Sequence, residues 1–258
     1  MAIQKQNYVL GRGRLYFDDG KNGERYIGNT PEFNLSTATE FLEHFNSDEG
    51  LRNRDRNIVT QINYSGSFTT DHIGPENLAM LFMGEATTLT QTSLTAETDT
   101  FTGGVAFNWY QLGTDAANPA GKRQVSNVSV SANPSGTPTP AAAGTDYEVD
   151  LERGRLQVLE GGLLDGADFA VTYDVDATSR SVVISGARQV TGKLRFVSAN
   201  PEGAGDQRDY FMPSVTLSAN GDFALKAESD WQAIPFSLEI AKAESAEAIY
   251  ADGLPYTP

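Results

Sequence analysis

The sequence predicts a mainly β fold with one flanking α-helix and a small β insertion. Two long stretches alternate apolar and polar residues with period two, one helical pattern stands alone, and glycine-punctuated short strands fill much of the rest. Residues 10–17, LGRGRLYF, read as a first strand. It ends at Asp18-Asp19-Gly20, with Asn22-Gly23 just beyond, which is hairpin-turn chemistry.

From Phe33 onward Phe33, Leu35, Thr37, Thr39 and Phe41 share one face, while Asn34, Ser36, Ala38 and Glu40 share the other. A second long strand begins near Ile58. There Ile58, Thr60, Ile62, Tyr64 and Phe68 fall on one face and Gln61, Asn63, Ser65, Ser67 and Thr69 on the other. These strands, 33–43 and 58–70, flank residues 44–57, which read as a long loop of both charge signs. One helix follows. Pro75 suits a first helical position, Glu76 favours the positive N-terminal dipole, and Leu78, Leu81 and Phe82 recur at helical spacing before Gly84 ends it. Met80 and Met83 read as core filling.

After a Thr-rich stretch, residues 105–112 look strand-like and NPSGTPTPAAAG over 133–144 reads as an extended loop. The segments DYEVDL, RGRLQVLE, DFAVTYDV and SVVIS then make a compact inserted β subdomain, bounded here at 121–190. Residues 1–120 and 191–258 form the core around it, with strands at 193–199, 209–217, 223–227 and 236–241. A polar, Ala-rich C-terminal arm covers 243–258.

Composition narrows function. With 258 residues and 39% apolar content the chain can bury a substantial core. Nineteen basic residues against 34 acidic ones give a charge of −15, spread as −7 over 1–120, −3 over 121–190 and −5 thereafter. That balance argues against a surface built to clamp phosphates. The absence of cysteine excludes disulfides, thiolate zinc sites and a cysteine nucleophile. MAIQKQNYVL lacks the apolar run of a secretory signal, and no stretch approaches a membrane span, so synthesis in a cytoplasm and no membrane binding are expected.

No catalytic constellation emerges. Gly11-Arg12-Gly13 lacks the third glycine of a dinucleotide loop. Glu40, Glu43 and His44 suggest a metal cluster, but strand alternation puts the two glutamates on opposite faces. Asp174-Val-Asp176 opens like a calcium loop without the glycine or glutamate that completes one. The expectation is a non-enzyme with no catalytic, metal or cofactor site. Trp109 with Tyr110, and Trp231, fit a sugar-stacking platform or, more readily, a core or interface role. The polar strand faces are neutral and short, with few of the Lys or Glu that usually blunt an exposed sheet. Such faces suit a channel lining, and long free edges predispose a sheet to ring closure.

Several segments carry a family resemblance: GRGRLYF (11–17), GERYIGNTPEFN (23–34), GSFTTD (66–71) with PENLA (75–79), GTDYEVD (144–150), LRF (194–196) with Asn200-Pro201, and NGDFALK (220–226) with DWQ (230–232). In this order they resemble the major tail tube proteins of long-tailed, non-contractile (siphovirus-type) bacteriophages. The resemblance implies a β-sandwich or barrel subunit whose long strands join a ring-wide inner β-barrel. Six copies would form a ring, rings would stack into a hollow tube with other tail proteins at its ends, and DNA would pass through as cargo in the virion. It also implies that Asn34, Ser36, Glu40, Gln61, Asn63, Ser65, Ser67 and Thr69 face the lumen. Asp48, Glu49, Arg52, Arg54, Asp55 and Arg56 would belong to a loop reaching the next ring, and the insertion would project outward. The rival readings are a carbohydrate- or host-surface-binding β-sandwich and the tube protein of a contractile injection or secretion apparatus.

Overall fold

The computed structural model describes residues 8–46, 48, 50–201 and 207–253. In chain order the first elements are β1 (Gly13–Asp18), β2 (Arg25–Tyr26), β3 (Glu32–Asn46), β4 (Asn53–Thr70), α1 (Pro75–Leu81) and β5 (Glu85–Gln91). Next come β6 (Leu94–Phe101), β7 (Trp109–Gln111), β8 (Val125–Ala132), β9 (Thr139–Pro140), β10 (Tyr147–Asp150) and β11 (Arg155–Val158). The chain continues through β12 (Phe169–Val175), β13 (Thr178–Ile184), β14 (Val190–Ser198), β15 (Arg208–Ala219), β16 (Ile234–Ile240) and β17 (Tyr250–Gly253). The fold is mainly β with a single helix among the described residues, and no sheet closes into a barrel.

Two units are present, one from residues 1–87 with 183–258 and one from 88–182. The paired strands β5 and β13 carry the chain out of the first unit and back. The first unit is built on a sheet of order β2-β1-β14-β15-β16-β4-β3, with β17 paired to β15. One face of that sheet carries the core: Leu15, Phe17, Phe68, Leu194, Met212, Leu217, Phe236 and Leu238 are buried together with Met80 and Leu81 of α1. Phe68 stacks on Phe236 at 5.1 Å. The buried Asn77 of α1 donates to the carbonyls of Ile27 (2.7 Å) and His72 (2.8 Å) and accepts from Arg25 (2.9 Å), so its amide fastens the helix to the β2 region. Pro213 lies at a register shift of β15, where a ladder donor is dispensable.

The unit 88–182 has its own core. A sheet of order β10-β11-β7 and one of order β6-β12-β8-β9 bury Leu112, Val130, Leu156, Phe169, Val171 and Tyr173. The Tyr173 hydroxyl donates to Asp99 (2.8 Å); burial first, and that carboxylate second, push the phenol pKa up.

Several expectations are corrected. The inserted unit starts at 88 and ends at 182, not at 121 and 190, because the Thr-rich stretch forms β6 and Phe101 stacks on Phe169 at 5.1 Å. Only Trp109–Gln111 of 105–112 is strand, since Phe107 adopts a left-handed φ of 67°. Residues 223–227 form no strand. The C-terminal segment is no arm up to Gly253: Ala248 is buried and β17 pairs with Arg208–Phe211 of β15, while 254–258 lie outside the described residues. Met83 (φ 52°), not Gly84, takes the left-handed position after α1; at Gly84 a Cβ would run into the Ile184 carbonyl.

Two predictions follow from separate cores. Leu194→Ala should lower one calorimetric transition and Leu156→Ala the other, each by about 2–5 kcal/mol, with little cross-effect. The second concerns acid. Asp146 is held below the usual carboxyl range by the backbone N–H groups of Ala142 and Leu163, and Asp174 by Asn127 and the Ala96 N–H. A depressed folded pKa stabilises above the unfolded value and is lost as pH falls through the folded one. The 88–182 transition should therefore hold between pH 7 and 5 and fall below about pH 4, with Asp146→Asn flattening that fall in calorimetry.

Candidate functional site

The longest pairing in the molecule joins β3 to β4, from Glu32↔Thr69 to Asn46↔Asn53. On its other side β4 meets β16 only between Ile240↔Tyr64 and Ile234↔Thr70. Among the described residues, then, β4 has β3 as its one strand partner from Asn53 to Asn63, and β3 is the edge of the sheet. The result is a two-stranded ribbon extending past the sheet.

Residues opposed in an antiparallel pair point to the same side. Asn34↔Ser67, Ser36↔Ser65, Ala38↔Asn63 and Glu40↔Gln61, with Thr69 opposite Glu32, bring all eight candidate lining residues onto one face. The same face continues through Ser237↔Ser67 and Glu239↔Ser65 into β16, then through Ser218↔Ser237 and Thr216↔Glu239 into β15. It is opposite the buried Phe68, Phe236 and Leu238. Ser237, Glu239, Ser218 and Thr216 were missed in the sequence, although PFSLEI at 235–240 carries the same period-two signal. This four-strand patch holds Glu32, Glu40 and Glu239 and no Lys or Arg. Local side-chain bonds knit it, Asn34 to Glu32 (2.7 Å) and Gln61 to Asn63 (2.9 Å). Toward β14 and β1 the character changes to charge pairs, Lys193 with Asp18 (3.6 Å) and Arg195 with Glu24 (2.7 Å).

At Glu40/Phe41 the register steps over Thr60, a β-bulge whose hydroxyl donates to the Glu40 carbonyl (3.2 Å). The bulge moves Ile58 off the face of Ile62, where simple alternation had put it, and onto the Glu40 side. Beyond it Phe41↔Val59 lies on one face and Leu42↔Ile58 on the other. All four side chains are exposed, Leu42 at 64%. Further out Glu43 pairs with Arg54, His44 Nδ1 and Asp55 Oδ1 share a 2.6 Å hydrogen bond, and Arg52 lies over the Phe45 ring at 5.2 Å. The His44 contact holds the Asp55 carboxyl below its usual range.

The expected loop over 44–57 is therefore mostly strand. Arg54, Asp55 and Arg56 belong to β4; Asp48 and Arg52 lie in the turn; Glu49 is outside the described residues. Opposite charges placed across the pair make a charged segment compatible with a strand. Of the aromatic candidates, Tyr110 packs against Phe101 (5.3 Å) and Phe169 (5.1 Å), whereas Trp109 and Trp231 are exposed, so neither tryptophan is a core residue.

Gly66 sits where β4 is flanked on both sides. A Cβ there would meet the Asn34 carbonyl and lie 3.2 and 3.3 Å from methyls of Leu35 and Leu238. Gly66→Val should loosen the β3–β4 and β4–β16 pairings together, costing about 1–3 kcal/mol in chemical denaturation.

No curated protein matches the chain. A family model described as "Protein of unknown function UCP028589" matches residues 8–248, and the chain belongs to that family.

Proposed function

We propose that this chain is the structural subunit of a hollow phage tail tube: rings of six copies, stacked, through which DNA passes. The observation that carries the reading is the continuous polar face over β3, β4, β16 and β15, acidic and without Lys or Arg as far as Glu40, running onto a ribbon whose first two pairs past the bulge are apolar on both faces and whose outer end is charged. A duplex moving along a basic wall would be held by phosphate contacts, each made with counterion release. Short neutral groups and three carboxylates offer no such hold. The ribbon supplies the complementary half of the argument. A lone two-stranded hairpin is marginal in water, and large apolar groups bare on both sides call for cover from other copies. The free edge of β3 offers unpaired N–H and C=O groups for joining sheet to sheet. On this reading the face lines the bore, the ribbon reaches a neighbouring ring, the 88–182 unit projects outward, and the protein resides in the virion. The role is structural, with no reaction assigned.

A carbohydrate- or host-surface-binding module is the second reading. It is favoured by Phe107, 63% exposed in a left-handed conformation costly for a bulky residue, beside exposed Trp109. It leaves the polar face and the ribbon without a role.

Electron microscopy of the purified protein should reveal six-fold rings or hollow rods; a monomer persisting at high concentration defeats the tube. Replacing Phe41 and Val59 together by Thr should leave circular dichroism unchanged and abolish rods, because both side chains are already in water in the isolated subunit.

A further inference from the structure

The most exposed large apolar side chain described is Trp231, at 93%, with Leu225 of the same loop at 78%. The loop joins Ala219 of β15 to Ile234 of β16. It is held in shape: Gln232 donates to the carbonyls of Ala224 (3.0 Å) and Leu225 (3.1 Å), and the Asn220 N–H donates to Pro235 (3.1 Å). Glu228 and Asp230 precede Trp231 in the same loop, and neither has an ion pair among the described residues. An ordered projection tipped with bare Trp and Leu is the form of an interface anchor, which works by filling a pocket.

The same unit contains a cleft of about 430 Å³, within the roughly 300–1,000 Å³ range of binding pockets. Phe17, Ala79, Met80 and Val190 give it apolar walls. Lys21, Arg25 and Arg188 line it against Asp19, Glu76 and Glu85, with Glu76 and Asp19 acting on Arg25. Lys21 and Arg188 make no ion pair among the described residues. Val190 pairs with Leu217, two residues before the loop departs, so cleft and loop occupy the same end of the sheet, the cleft on the β1–β14 side and the loop on the β16 side. Copies related by rotation about an axis running with the strands keep equal heights, and two different patches at one height make a heterologous contact that can close a ring.

We infer that the 220–233 loop of one copy inserts Trp231 and Leu225 into the Phe17–Met80–Val190 cleft of the next, with Glu228 and Asp230 meeting Lys21 and Arg188. The inference rests on the ring reading above in taking the partner to be another copy. It assigns both halves of the lateral contact to named residues.

The cysteine-free chain permits a clean test. Trp231→Cys and Lys21→Cys are made as separate chains, assembled alone or mixed, and treated with a mild thiol oxidant. The mixture should give disulfide-linked dimers pairing one variant with the other, and neither variant alone should. Trp231→Cys dimers formed on their own would reveal a symmetric contact and overturn the proposal. So would rings that form normally in the microscope without any cross-link, which leaves the ring reading standing. A mixture that never assembles, while wild type remains monomeric, overturns both. Because cysteine at 231 removes the anchor itself, a second measurement uses Trp109→Phe, in which Trp231 is the remaining tryptophan. Its fluorescence should move to shorter wavelength on assembly, and unchanged emission in intact rings overturns the inference. Trp231→Ala should raise the concentration needed for assembly at least about tenfold, with Trp231→Phe recovering part of the loss.

Discussion

The pairing of β3 with β4 governs what this molecule presents to others. Along its inner half the pair is one edge of an eight-stranded sheet, and burial of Phe68 against Phe236 fixes which residues face water. A slip of one residue would turn Phe68 outward and Ser67 into the core, so the register is locked by the hydrophobic effect. That lock carries outward along the strands. Once Phe68 is in, Ser67, Ser65 and Asn63 are out, and so are the residues opposite them. The outer half has no core beneath it and inherits its register from the inner half. Its apolar residues are therefore not a continuation of the subunit core. They remain in water until something else covers them.

The bulge at Thr60 divides these two regimes. Before it, one face is polar and the other apolar, the pattern of a sheet with one solvated side. After it, successive pairs put Phe41 and Val59 on one side and Leu42 and Ile58 on the other. A wall facing water needs one polar side; a ribbon enclosed between copies needs neither. The proposed function gives each regime a use, lining for the first and contact for the second. The charged pairs Glu43–Arg54 and His44–Asp55 beyond them are exposed and add little to subunit stability. Their value lies in fixing direction and register where the apolar residues fix none.

Much of this was legible in the sequence because period two is a strong signal wherever one face is buried. Alternation alone puts Asn34, Ser36, Ala38 and Glu40 on one face of their strand and Gln61, Asn63, Ser65, Ser67 and Thr69 on one face of theirs, and the register joins the two faces. What escaped detection had one of two causes. Thr60 is an ordinary strand residue, and nothing in its identity announces that the ladder steps over it, so Ile58 was placed on the wrong side. Elsewhere composition masked structure: Arg54, Asp55 and Arg56 read as loop because charge is commonly loop-like, yet cross-strand partners accommodate them. The Thr-rich 88–101 segment likewise has only Leu89 and Leu94 as large apolar residues before Phe101, and packing of that ring against Phe169 reveals its unit. Trp231 is the opposite case. Flanking apolar residues suggested a core or interface role, and only its exposure removes the first.

The net charge acquires meaning only with a geometry. At −15 per chain, six copies would bring about −90 into one ring, and that self-repulsion opposes assembly. Salt within a Debye length of roughly 8 Å weakens it but does not touch contacts already out of water. Apolar cover must therefore supply the association, which is consistent with bare Phe41, Leu42, Ile58 and Val59 on the ribbon and Trp231 on its loop. The cations are not scattered at random either. Lys193 and Arg195 pair with Asp18 and Glu24 on the far strands, and Arg54 and Arg56 lie at the outer end of the ribbon, so the stretch holding Glu32, Glu40 and Glu239 has cations only to either side. An acidic protein with a cation-free face is badly made for holding a polyanion. It is well made for letting one slide past, provided the face is turned inward and the repulsion between copies is overcome elsewhere.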